Sequence, residues 1–158
     1  MQGFAKAVLA AILVSICIML FTNMVFFFPW YMTLITETFN LSQIAASDNY
    51  IKQSYHDDSL DRIKDRPIFR DKASFIDITA INSDGDDAVG RDDESYYEDL
   101  GEYDKPYRQR GEPVTVEISA VYPLSITLWG TKYEKELPVS FSITSVGLKH
   151  YKDLDYYF

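Results

Sequence analysis

Cysteine is nearly missing from this sequence: Cys17 is the only one in 158 residues. A lone thiol has no intrachain partner, so no disulfide framework staples the fold. Histidine is almost as scarce, with His56 and His150 alone. Neither has a second ligand at the fixed spacing of a structural zinc site, so His56-Asp57-Asp58 reads as a solvated helix end. No glycine-rich phosphate loop occurs, and no serine sits in a nucleophile-elbow pattern. The expectation is a protein that is not an enzyme and carries no cofactor.

Charge is lacking from the first quarter of the chain. Lys6 is the only charged side chain before Glu37, which leaves 14 of the 15 Lys and Arg and all 24 Asp and Glu downstream, a net of -10 there. Such a field repels phosphate backbones and anionic headgroups, so nucleic acid is excluded as a partner. A cation or a basic protein partner suits it better. With 158 residues the chain holds one small domain and one anchor.

The anchor is the uncharged run itself. From Ala7 to Phe28 only Ser15, Thr22 and Asn23 interrupt the apolar residues, and no charge appears before Thr36. At about 1.5 Å per residue, some 20 helical residues cross a hydrocarbon core of about 30 Å. A signal peptide would close on small residues, whereas this run ends in Phe26-Phe27-Phe28-Pro29-Trp30-Tyr31. A buried soluble helix would show a polar stripe. Residues 1–36 are therefore expected to form a single membrane-spanning or protein-buried helix, kinked at Pro29, with Trp30 and Tyr31 in an aromatic belt at the interface. Lys6 and the terminal amine are the nearest positive charges, and the next basic residue is Lys52. That bias places the N-terminus in the cytoplasm and the rest outside it.

Residues 37–66 read as an amphipathic helical stalk, with Leu41, Ile44, Ile51 and Tyr55 near one face, closed by Arg66-Pro67. An alternative reading has the stalk continue the membrane helix, bent or broken at Pro29. Residues 67–158 change to a period of two. Phe75 to Ile81, Val114 to Tyr122, Ser125 to Trp129 and Leu137 to Thr144 are expected strands, the last three an antiparallel meander. A sheet with one apolar face needs a cover, and the stretch 41–55 is expected to supply it. The fold class is α+β: a long N-terminal helix, apolar first and amphipathic second, on a small antiparallel meander.

Between them lies an acidic loop, 84–110, with ten carboxylates from Asp84 to Asp104 against the single cation Arg91. Asp84, Asp86, Asp92, Asp93 and Glu94 offer the hard oxygens that calcium prefers. Their spacing departs from an EF-hand: from Asp84 the sixth residue is Val89 and the twelfth Ser95. The competing reading is a solvated loop or a docking strip for a basic protein. Tyrosines at 96, 97, 103, 107, 122, 133 and 151 are expected to cap sheet edges or face solvent, while Tyr156-Tyr157-Phe158 is an aromatic end that should dock.

The apolar run Phe4 to Phe28, then Pro29, an amphipathic continuation, an antiparallel meander and the closing run Pro138 to Gly147 together resemble the type IV pilin superfamily. The chain is similar in particular to the small pseudopilins of tight-adherence (Tad-like) systems and their relatives in Gram-positive bacteria. It departs from that family at its start, since Met1-Gln2-Gly3 has no charged side chain and Val8 stands fifth from Phe4, where the family has glutamate. The resemblance implies a structural subunit of a filament or cell-envelope assembly. Its helix would pack in a filament core or stay in the bilayer, through Val8, Leu13, Leu20, Phe26, Phe27, Phe28, Pro29 and Trp30. Two other readings stand beside it: a single-pass accessory subunit of a larger membrane complex, and an anchored cation-binding or sensor domain.

Overall fold

A computed structural model of the chain describes residues 2–128 and 130–154. Trp129, the expected end of one strand, and the tail Tyr156-Tyr157-Phe158 lie outside the described residues. The architecture is α+β. One helix, α1 (Gln2–Asp48), runs unbroken for 47 residues with Pro29 inside it. After it come β1 (Ile51–Lys52), α2 (Gln53–Lys64), β2 (Asp77–Ile81), β3 (Val89–Gly90), β4 (Pro113–Leu128) and β5 (Thr131–Val146), with 3-10 turns at 70–75, 94–97 and 102–104.

The stalk expected at 37–66 is thus two helices, and the boundary expected at residue 36 falls inside α1. The break lies at Asn49, which has φ 60, a left-handed conformation that asparagine tolerates better than most residues. Its buried side chain holds it there by bonding to the backbone of Arg108 and Lys149. Apolar spacing could not reveal the break, because Leu41, Ile44 and Ile51 are near-periodic across it.

The main sheet has the order β2-β4-β5, all antiparallel, and β1 pairs with β3 in a separate parallel pair. The two strands expected on either side of Pro123 are one strand of 16 residues, matched along its length by β5. The register explains how this ladder tolerates its prolines. Pro113 faces Val146, Pro123 faces Glu136 and Pro138 faces Val121. All three fall on alternate rungs of one parity, the parity in which the proline nitrogen points away from the partner strand. On its other side β4 is paired to β2 only from Thr115 to Ser119, so Pro123 interrupts no ladder there.

Val114, Val116, Ile118, Ala120 and Tyr122 of β4 and Ile78 and Ala80 of β2 turn to the buried face, as their alternation predicts. Thr115, Glu117, Asp77 and Thr79 turn outward. The cover begins earlier than the expected stretch 41–55. It is the C-terminal half of α1, where Trp30, Leu34, Leu41 and Ala45 are buried at the three-and-four spacing of one helical face. That stripe begins inside the uncharged run, so absence of charge overstates how much of α1 is free.

Glu37 interrupts the stripe at 3% exposure. Arg66 meets its Oε1 at 3.2 Å and Arg62 its Oε2 at 3.5 Å, so the end of α2 and the turn after it are clamped onto α1. A buried carboxylate survives only with such partners.

Candidate membrane and assembly surface

Among the described residues one helix is long and apolar enough to cross a membrane. In its N-terminal part the residues from Gly3 to Ile18 are all exposed. Its few polar side chains are satisfied by the helix itself. Ser15 donates to the carbonyl of Ala11 and Thr22 to that of Ile18, both at 2.9 Å, and Asn23 donates to that of Met19 at 3.0 Å. Internal satisfaction of this kind is what a helix in hydrocarbon requires.

The head begins at Asn23. Tyr122 Oη, from the sheet, donates to the Asn23 carbonyl at 3.1 Å. One turn on, Phe27 meets Tyr122 edge-on at 5.0 Å and stacks on Trp30 and Tyr31. Trp30 in turn packs on Phe69 and Tyr122 at 5.1 and 5.2 Å and is 2% exposed. The expected assembly residues therefore divide. Val8, Leu13, Leu20, Phe26 and Phe28 lie on the free surface, with Leu13 63% and Phe26 66% exposed, and Pro29 is exposed beside them. Phe27 and Trp30 belong to the core of the head. Trp30 is thus no headgroup anchor, because its place in register with Leu34 and Leu41 turns it onto the sheet.

The acidic loop is folded onto the head rather than left in solvent. Arg108, 4% exposed, holds Asp84 at 2.6 Å and Asp86 at 3.0 Å. It also donates to the carbonyls of Glu102, Lys105 and Tyr107. Asp92 accepts from the backbone N–H of Ser54, in the first turn of α2. Asp93 caps the turn at 94–97 through Ser95. Glu94 pairs with Lys52 at 3.4 Å and with Lys149. The five calcium candidates thus all have protein partners, Asp84 and Asp86 sharing Arg108. Among the described residues no three His, Cys, Asp or Glu side chains converge on a point where an ion could be held. His56 likewise has partners of its own, with Nδ1 2.9 Å from Asp57 and Nε2 3.1 Å from the Ile78 carbonyl.

No protein-family model, curated protein or solved structure matches this chain.

Beneath the loop is a feature that tyrosine counting did not reveal. Tyr97, Tyr107 and Tyr151 join Tyr50 in a buried aromatic cluster, with Tyr107 stacked on Tyr151 at 3.8 Å. Each hydroxyl has a partner. Tyr50 donates to the Arg91 carbonyl, Tyr97 accepts from the Arg91 N–H, Tyr107 donates to Asp153, and Tyr151 donates to the Asp48 carbonyl. Burial first, then nearby carboxylates, push the Tyr50 and Tyr151 hydroxyls well above the ordinary tyrosine range; for Tyr107 burial comes first and its bond to Asp153 next. Burial also works against the charge of Asp153, but hydrogen bonds from Lys105 and Tyr107 outweigh it and hold that carboxyl below its usual range. The one sequence signal was the segment Lys105-Pro-Tyr-Arg108, three of whose residues carry polar groups that are buried and paired.

Proposed function

We propose that this chain is a non-catalytic structural subunit of a pilin-like filament or cell-envelope assembly, held in a membrane by α1 with its N-terminus cytoplasmic and its acidic head outside. The observation that carries the reading is the division of α1 at Asn23. Below it stand five helical turns of exposed apolar side chains, and above it the same helix is the cover of an antiparallel sheet. So large an apolar surface is unfavourable in water at about 25 cal/mol per Å². Lipid or the helices of other copies would remove it from water equally well, which suits a subunit that passes from bilayer to assembly. Lys6 as the one charge on this segment supports the orientation.

An accessory subunit of a larger membrane complex is the second reading. The exposed pair Glu98 and Asp99 on the loop favours it, since these carboxylates are open to a basic protein.

Membrane fractionation of the full-length protein, followed by oxidative crosslinking through Cys17, tests the proposal. Cys17 is exposed on the free helix. Crosslinked copies, and fibres of the purified protein in negative stain, are expected. A Cys17 that never crosslinks to another copy, in a protein that disappears from membranes with one particular complex, would transfer the case to the second reading.

A further inference from the structure

The β4–β5 hairpin reaches past the level at which the head begins. Along α1, strand β4 runs in the opposite direction: Ser145, beside Val114, donates to the Ser42 carbonyl, and Tyr122 donates to that of Asn23. Beyond Tyr122 the ladder continues unbroken for six more residues to Leu128, a rise of about 20 Å at 3.3 Å per residue. Yet the helix residues from Gly3 to Ile18 are all exposed, so the hairpin does not lie on them. It stands beside the free helix as a two-stranded ribbon.

If the 19 residues Phe4 to Thr22 cross a bilayer, they rise about 28 Å, close to the full hydrocarbon thickness, and leave no spare length. The near surface of that bilayer then lies around Asn23. A ribbon that continues past Asn23 toward the membrane must meet it. Its composition suits that contact: from Pro123 to Thr131 no residue is charged, in a head whose net charge is -10, and Ile126 continues the side on which Leu124 packs against the core. The returning strand opposite it carries Lys132, Glu134, Lys135 and Glu136, whose charges cancel, with Lys132 bonded to Glu134 and Lys72 to Glu134 and Glu136. A hairpin without net charge is not repelled by anionic headgroups as the rest of the head is.

We propose that the tip of the β4–β5 hairpin is a second membrane contact, resting in the headgroup and upper acyl region of the leaflet on the side of the head. This rests on the reading of α1 as a membrane span. The contact would fix the tilt and rotation of the head, which one helix alone leaves free.

The test uses the full chain in phosphatidylcholine vesicles with an environment-sensitive fluorophore on a single cysteine. Three positions are labelled: the native Cys17, and, in a Cys17→Ala background, Ile126→Cys at the hairpin and Ser140→Cys on the outer face of the sheet. Labels at 17 and 126 are expected to shift to the blue and lose intensity to a quencher carried on lipid tails, while the label at 140 stays as in water. A watery label at 126 with a lipid-quenched label at 17 overturns the hairpin contact and leaves the span standing. Watery labels at both positions overturn the span itself. A label at 126 that is shifted but not reached by the lipid quencher, and that crosslinks to another copy, overturns the lipid contact in favour of a protein one. Unchanged thermal unfolding of each variant shows that the head is intact.

Discussion

The side-chain amide of Asn49 closes a ring on the backbone of Lys149, 100 residues later: Nδ2 donates to the carbonyl at 2.7 Å and Oδ1 accepts the N–H at 2.9 Å. The same Nδ2 donates to the Arg108 carbonyl at 2.9 Å. One asparagine thus ends α1, anchors the folded loop and ties down the segment after β5.

Asn49→Ala is expected to lower stability by about 2–4 kcal/mol, since it leaves three buried backbone groups without their partner and puts alanine at positive φ. Asn49→Gly relieves the second effect and should lose less. Gly147→Ala should resemble Asn49→Ala, because its Cβ would come within 2.6 Å of Asn49 Cγ. Urea denaturation of the three variants checks the order, and equal losses for alanine and glycine at position 49 would remove backbone strain from the account.

Trp30→Ala should destabilise the head by about 3–5 kcal/mol through the cavity it opens. Trp30→Phe should lose far less, since the buried indole Nε1 has no hydrogen-bond partner to forfeit among the described residues. Leu13→Lys gives the opposite pattern. It leaves the unfolding of the head unchanged and weakens membrane insertion by roughly 2.5–3.5 kcal/mol. Thermal unfolding and membrane fractionation, measured on the same proteins, separate a core residue from a surface one.

Glu37 predicts an asymmetry. Its carboxylate is buried, whereas Arg62 and Arg66 are about half exposed and can return to water. Replacing both arginines by alanine strands the charge and should cost about 3 kcal/mol, while Glu37→Leu should stay within about 1–2 kcal/mol of the parent. If the two variants are equally stable by denaturant titration, the clamp contributes nothing.

The acidic side of the pH profile follows from Asp153 and Glu94, whose carboxyls are held below their usual range. For Glu94, too, burial opposes the charge and the bonds to Lys149 and Lys52 prevail. With folded values depressed, the unfolded chain binds more protons in this window. Their stabilisation is complete above about pH 4.3 and is lost as pH falls through the lower folded values. On the alkaline side the signs reverse. Tyr50, Tyr107 and Tyr151 hold their protons in the fold, so stability is complete below about pH 10 and declines above it. Tyrosinate absorbance from the cluster should appear only as the head unfolds.

What could be read from the residues alone is what short-range periodicity encodes. An uncharged run longer than a bilayer is thick requires a helix with an apolar surface, and strict alternation in Val114 to Tyr122 requires a strand with one buried face. Those two patterns determined the α+β class and the presence of a free apolar helix. Where that helix stops being free was decided by the tertiary structure. Phe26 and Phe27 are neighbours of one residue type, and only the position of the sheet sends one to the surface and the other against Tyr122. The loop shows the same limit. Ten carboxylates between Asp84 and Asp104 read as solvated because the sequence does not display their partners: Arg108 lies at the far end of the loop itself, and Lys52, Ser54 and Lys149 come from other parts of the chain. Charge pairing and aromatic burial depend on contacts across tens of residues, and only folding brings those contacts together.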